Sequence, residues 1–257
     1  MSLEGTDLDK LALSTEKLLA GTDSQITTVG YYCNPIQYAE HRKTLENVIC
    51  TAGKFGATHV STFAGAWEGK PVESAYEEFG KVFRELADLA EEKGVKLGIE
   101  NCLMDGTWEH ATCNIGFNPK AWEVMFEEVK NDNFGLEWEP THQMVQLIDP
   151  VTELRKWCKK IVHIHGKDAT IDWDAVRHSG ISGAAPFVWH RMPGFGDTNW
   201  RDIISILRSN GYEDDICIEG YHDPVYSGEL EMTGQLHALN YLKWCRGGEF
   251  TPTPWAK

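Results

Sequence analysis

The sequence holds no long apolar run. No stretch approaches the roughly 20 residues that a membrane span needs, and the first residues lack the pattern of a secretory signal, so a soluble cytoplasmic protein is expected. Cys-x-x-Cys pairs are also missing. The seven cysteines, Cys33, Cys50, Cys102, Cys113, Cys158, Cys217 and Cys245, are scattered, a pattern of reduced thiols rather than of a disulfide framework. Positive charge is scarce: 24 Lys and Arg stand against 39 Asp and Glu, a formal net charge of −15. That balance repels phosphate backbones and argues against non-specific nucleic-acid binding. There is no Gly-x-Ser-x-Gly nucleophile elbow, and Gly194-Phe195-Gly196 lacks the strand and helix that flank a dinucleotide loop.

What remains is an alternation of strand and helix patterns. Strands are expected at 26–32, 59–65, 95–100, 134–139, 161–165 and 215–219. Between them, apolar residues recur at helical spacing. Leu45, Val48, Ile49 and Ala52 line a helix over 41–55; Phe79, Val82, Phe83, Leu86 and Ala90 line a second, opened by Ser74 with Glu77 as a capping box. Asn118-Pro119 begins a third, 152–158 is short, Asn199 caps another, and 235–245 is the last. Six strands each followed by a helix predict a parallel sheet with helices outside, an α/β barrel of the TIM type in a single domain over 1–257. Residues 1–24 form a lead-in with a helix around Leu8–Leu19, and 25–246 form the barrel units. A closed barrel has eight strands, so two strands at the start are either absent from the chain or unrecognised. The segments 101–117 and 169–198 read as irregular loops after strands, on the face where such barrels place their chemistry.

Strand parity sharpens this expectation, because successive side chains point to opposite faces. Leu97 and Ile99 share one face, Glu100 the other; Phe134 and Leu136 oppose Glu137 and Glu139; Val162 and Ile164 oppose His163 and His165; Ile216 and Ile218 oppose Glu219. If the aliphatic residues face the helices, Glu100, Glu139, His165 and Glu219 all end their strands pointing inward, and Trp138 belongs to the core. Any one such residue more often faces solvent or caps a helix; four on one inferred face are a ligand set. Three carboxylates and an imidazole suit Mn²⁺, Mg²⁺ or Co²⁺, with Zn²⁺ also allowed. Without a cation, three negative charges would crowd a low-dielectric site.

At these segments the sequence resembles the sugar phosphate isomerase/epimerase family, the xylose isomerase-like barrels. The likeness rests on Gly98-Ile-Glu-Asn101, Gly135-Leu-Glu-Trp-Glu-Pro-Thr-His142, His163-Ile-His-Gly-Lys-Asp168, Pro193-Gly-Phe-Gly-Asp197 and Ile218-Glu219, spanning about residues 25–245. It implies one divalent metal, manganese first, on Glu100, Glu139, His165 and Glu219, and substrate contacts from His142 and Arg191. Glu139 departs from the usual Asp, and Gly-Tyr-His-Asp-Pro after Glu219 is longer than in close relatives. The implied activity is isomerisation or epimerisation of a sugar or sugar phosphate: a proton leaves a carbon beside a carbonyl, through a metal-held enediolate, with Glu100 and Glu219 as base and acid.

Lys167 could meet a substrate anion or pair with Asp168, and Trp67 could wall the sugar or simply pack. His110, His163, His190 and His222 are weaker pocket candidates. Three other readings stand beside the first. A keto-inositol dehydratase begins with the same proton abstraction. An abasic-site endonuclease would need more ligands and a basic track. A non-catalytic sugar-binding module fits a chain short of two strands. Expected partners are a small carbohydrate and, as is common in such families, further copies of the chain.

Overall fold

The computed structural model describes residues 6–249 and 251–253. By Cα proximity the chain divides into two compact units. The first runs to Trp138 and takes in Lys160–Ile164; the second comprises Glu139–Lys159 and the chain from His165 onward.

The first unit opens with α1 (Leu8–Leu19), capped by Asp7, whose side chain accepts from Lys10 N. The repeats follow: β1 (Thr28–Gly30), α2 (Ala39–Thr51), β2 (His59–Thr62), α3 (Tyr76–Glu92), β3 (Lys96–Glu100), α4 (Pro119–Glu128) and β4 (Phe134–Trp138). Each strand pairs in parallel with the next, in register Val29↔Val60, Val60↔Leu97 and Leu97↔Phe134. The fully buried faces of α3 and α4 form the core over these strands. Phe79 stacks on Phe83 at 4.6 Å, and Phe134 meets Phe83 at 6.0 Å and Phe126 at 5.7 Å. Burying such rings contributes about 1.5–3 kcal/mol each.

The capping box at Ser74 does not form. Residues Val72–Ala75 make a 3₁₀ turn instead, α3 starts at Tyr76, and the Ser74 hydroxyl donates back to Pro71 O at 2.6 Å. A hydroxyl that finds its own turn is lost to the helix. Asn118, by contrast, caps α4 as expected, accepting from Lys120 N at 3.0 Å.

The fifth strand, β5 (Ile161–Gly166), begins in the first unit, and its pairing with β4 shifts register: Leu136↔Ile161 is followed by Glu137↔His163. Val162 is the residue left over. Simple alternation would send it outward with Ile164; the shift turns its methyls toward two glycines. A Cβ on Gly135 would lie 2.7 Å from Val162 Cγ1 and 2.3 Å from Lys160 O, and one on Gly98 3.2 Å from Val162 Cγ2. Those glycines are the space into which the shifted strand fits.

The second unit holds the end of β5, then α5 (Pro140–Met144), α6 (Pro150–Trp157), β6 (Asp168–Ile171), α7 (Trp173–Ser179), β7 (Val188–Arg191), α8 (Trp200–Ser209), β8 (Ile216–Ile218) and α9 (Glu231–Cys245). The six-stranded parallel sheet has the order β1-β2-β3-β4-β5-β8, so all six expected strands are present. Glu219 N donates to Gly166 O at 3.1 Å, joining the end of β8 to β5. Residues 169–198 are not an irregular loop. They build an antiparallel pair, β6 with β7, registered Asp168↔Arg191 and Ile171↔Val188, with α7 between.

Asp168 organises this part of the chain. It is wholly buried, and its Oδ1 accepts from Ala169 N and Thr198 N, both at 2.9 Å. Its Oδ2 accepts from Gly194 N at 3.0 Å and Gly196 N at 3.3 Å. Burial pushes the carboxyl up from its usual range, against the pull of these donors. Gly196 is required by the close approach, since a Cβ there would lie 2.4 Å from Asp168 Oδ1. No described helix is long and apolar enough to cross a membrane.

Candidate metal centre

In the first unit, Glu100 ends β3 and is buried. The loop after it is tied down by the buried amide of Asn114, which donates to Glu100 O at 2.9 Å and Cys102 O at 2.8 Å. The same side chain accepts from Ala64 N at 3.0 Å and Gly116 N at 2.9 Å. Asn34 does the same after β1: its Oδ1 accepts from Ala66 N and its Nδ2 donates to Ala66 O. Neither asparagine is signalled by the strand pattern. Glu137, inward by parity, is paired rather than free: His163 Nδ1 lies 2.7 Å from Oε1, and the Tyr32 hydroxyl donates to Oε2 at 2.8 Å. Trp67 follows β2 in a half-buried turn, where its carbonyl accepts from Lys70 N.

The second unit brings three of the four expected ligands together. Glu139, the residue after β4, caps α5 with extended backbone and a wholly buried side chain. His165 Nδ1 lies 3.6 Å from Glu139 Oε2 and 3.3 Å from Glu219 Oε2. One ligand atom from each of the three lies within 4.8 Å of the others. Glu219 stands just past β8, and its buried Oε2 has no hydrogen-bond partner among the described residues. A buried carboxylate oxygen without a donor is costly, and a cation removes that cost. The donor set of two hard carboxylates and one imidazole fits a divalent metal.

Lys167 is not the partner of Asp168. Its Nζ lies 3.0 Å from Glu219 Oε1 and 3.7 Å from Glu139 Oε1. Burial drives the Glu139 carboxyl upward, but His142, His165 and Lys167 outweigh it and hold the group well below the usual carboxylate range. His142, on α5, puts Nε2 3.3 Å from Glu139 Oε1.

Two further histidines continue the row. His190 lies 6.2 Å from His142 and 5.7 Å from His222, centroid to centroid. Burial and the charge of Lys167 push His190 down to about 4, so it is neutral near pH 7. Its buried Nδ1 has no hydrogen-bond partner among the described residues. Arg191, at the end of β7, is held by Asp223, with Nε 3.3 Å from Oδ2. Asp223 also accepts from Met192 N, Val225 N and Tyr226 N at 2.7–2.8 Å, and so fixes the loop that carries His222 at a left-handed φ of 72°. Asp223 lies in the Gly-Tyr-His-Asp-Pro segment, which reads from sequence only as a longer loop.

Known proteins share the fold. A family model described as a xylose isomerase-like TIM barrel matches residues 6–243. An inosose dehydratase of Clostridium tetani is 26% identical over 182 residues, 69% of this chain and 57% of that protein. The chain therefore aligns with little more than half the length of that relative. Among solved structures, a xylose isomerase domain protein from Planctomyces limnophilus superposes with a TM-score of 0.72 at 17% identity, over 93% of this chain and 83% of that one. The IOLI protein with a bound zinc atom gives 0.65 at 21% identity, over 95% and 81%. A parallel six-stranded sheet, strand-end acids and a family match over nearly the whole described chain lead to one conclusion: the chain belongs to the xylose isomerase-like TIM barrel family.

Proposed function

We propose that this chain is a divalent-metal-dependent enzyme that removes a proton from the carbon beside a carbonyl of an uncharged, polyhydroxylated substrate, with loss of water as in a keto-inositol dehydratase. The observation that carries the reading is the convergence of Glu139, His165 and Glu219, with a buried Glu219 oxygen left without a hydrogen bond among the described residues. Glu100 is proposed as the fourth ligand. Support comes from its place at the end of β3, in register with Glu137 of β4, one strand end along from Glu139. When bound, the metal would supply Lewis acidity toward the carbonyl oxygen and its neighbouring hydroxyl. Manganese is the first choice, because oxygen ligands outnumber nitrogen.

The chain's own groups divide the remaining work. Glu219 and Glu100 are the proton-transfer pair, the first held by Lys167 at 3.0 Å. His142, neutral His190 and the Arg191 guanidinium orient hydroxyls. Both nearby cations are already committed, Lys167 to Glu219 and Glu139 and Arg191 to Asp223. Among the described residues a phosphate would find neither of these two cations unpaired there, which favours an unphosphorylated substrate. The inosose dehydratase relative favours water loss over the epimerase outcome, while the shared first step keeps isomerisation or epimerisation as the second reading. Trp67 stays a proposed sugar-facing side chain.

The test uses the manganese-loaded protein with keto-inositols, ketoses and aldoses in deuterated water. Proton abstraction places deuterium beside the carbonyl in each reading; dehydration adds the loss of one water by mass, and epimerisation does not. No exchange with any substrate would remove the proposal. Metal binding is checked separately by melting. At 100 times its Kd a ligand stabilises the native state by about 2.7 kcal/mol, so a chelator should lower Tm by several degrees and manganese restore it. Glu139→Ala should abolish that response.

A further inference from the structure

Glu137 is a buried acid to which the proposed chemistry gives no task. It is the register partner of Glu100 on the neighbouring strand, so the two side chains share one face of the sheet. His163, its own register partner in β5, is buried beside it. A carboxylate and an imidazole are costly to keep away from water unless each finds a partner. Here they meet at 2.7 Å, and the second carboxylate oxygen accepts from the Tyr32 phenol at 2.8 Å.

Tyr32 comes to that oxygen from the far side of the first unit. It stands two residues past β1, and β2 and β3 lie between β1 and β4. The bond therefore crosses the inner face over two strands. The ring packs on Gly30, where a Cβ would lie 2.7 Å from Tyr32 Cε2, and meets Phe63 at 5.2 Å. Tyr32 is still 42% exposed, whereas Glu137 and His163 behind it are buried. The acid and the imidazole form a fixed support, and the phenol is its exposed end.

The proton inventory says what the phenol suits. A tyrosine hydroxyl has one proton and two lone pairs. The proton is directed at Glu137, so toward a ligand the group is an acceptor, strengthened by the charge-assisted bond behind it. We propose that Tyr32 is a specificity-determining residue that accepts a hydrogen bond from one substrate hydroxyl, at the strand-end rim that also carries Glu100. A ligand hydroxyl can donate there; a carboxylate or a phosphate has no proton to give. The inference rests on the reading above in one respect, that the substrate is polyhydroxylated.

Titration calorimetry of the manganese-loaded full chain with myo-inositol and its monodeoxy series tests it. Tyr32→Phe keeps the ring and its packing, so the variant should melt close to the wild type. It should bind myo-inositol about three- to tenfold more weakly, the scale of one hydrogen bond. One monodeoxy analogue should lose the same factor against the wild type and lose nothing further against Tyr32→Phe. A tyrosine with a structural role alone would shift every analogue by one common factor. Unchanged myo-inositol affinity in Tyr32→Phe, a common factor across the series, or a wild type that binds no inositol would each overturn the proposal. Deuterium exchange in the wild type reports separately on the proton chemistry. Exchange with a common factor across the series keeps that chemistry and removes Tyr32; the single-analogue signature without exchange does the reverse.

Discussion

Glu219→Gln is expected to cut turnover by about 10²–10⁴, the usual range for losing a positioned proton-transfer group, while the fold is kept. The substitution is isosteric. Lys167 still finds an oxygen to donate to, and the other two proposed ligands, Glu139 and His165, still face each other at 3.6 Å. The lost property is the charge and proton affinity of an oxygen that has no hydrogen bond among the described residues. Steady-state rates, metal content and the melting curve should be measured together. A variant with native melting and reduced turnover at full metal loading fits the role; near-wild-type turnover would end it. A variant that loses its metal points to ligation as the dominant part.

The second large effect concerns stability. Asp168→Ala leaves four N–H groups without their acceptor, the buried ones of Ala169 and Thr198 and the half-buried ones of Gly194 and Gly196. At about 1–3 kcal/mol for each unsatisfied buried donor, and with some relief from water, a loss of at least about 3 kcal/mol is expected. Asp168→Asn should fall between the two, because its amide group would face two donors with donors of its own. Urea unfolding with an unchanged slope would report the difference as a shift in midpoint. A loss within the range of ordinary surface substitutions, about 0.5 kcal/mol, would show that the loop stands without this carboxylate.

Much of the architecture can be read from the chain because helix and strand periods alternate cleanly. Leu45, Val48 and Ile49, or Phe79, Val82 and Phe83, are buried as their spacing predicts. Parity also set the strand-end acids on the face opposite the aliphatic residues, and two of them, Glu139 and Glu219, lie within 3.3–3.6 Å of His165. It failed locally at Val162, because alternation assumes constant register, and the shift beside Leu136 depends on two glycines in other strands. The antiparallel pair β6–β7 was hidden for a different reason. Its strands are four residues each, neither is fully buried, and the glycine- and alanine-rich run between them carries no period.

The partnerships within the site were the least legible part. Lys167 and Asp168 are adjacent in sequence, so pairing them was the simplest assumption. In the structure consecutive side chains part company, the lysine going to Glu219 and the aspartate to backbone amides. Likewise nothing local links Asp223 to Met192, 31 residues away, although that bond decides where Arg191 sits. Asn34 and Asn114 act mainly through main-chain groups, Asn34 adding a 3.5 Å contact to Glu68 Oε1, and such contacts leave no mark on hydrophobic pattern.

Those two amides have an evolutionary consequence. Each clips a loop onto a strand end through atoms that every amino acid possesses, so the clip is indifferent to the side chains it encloses. Residues 103–113 can drift in composition while the carbonyl groups of Glu100 and Cys102 stay anchored to Asn114. The enclosed peptide can thus be rewritten without renegotiating the foundation beneath it.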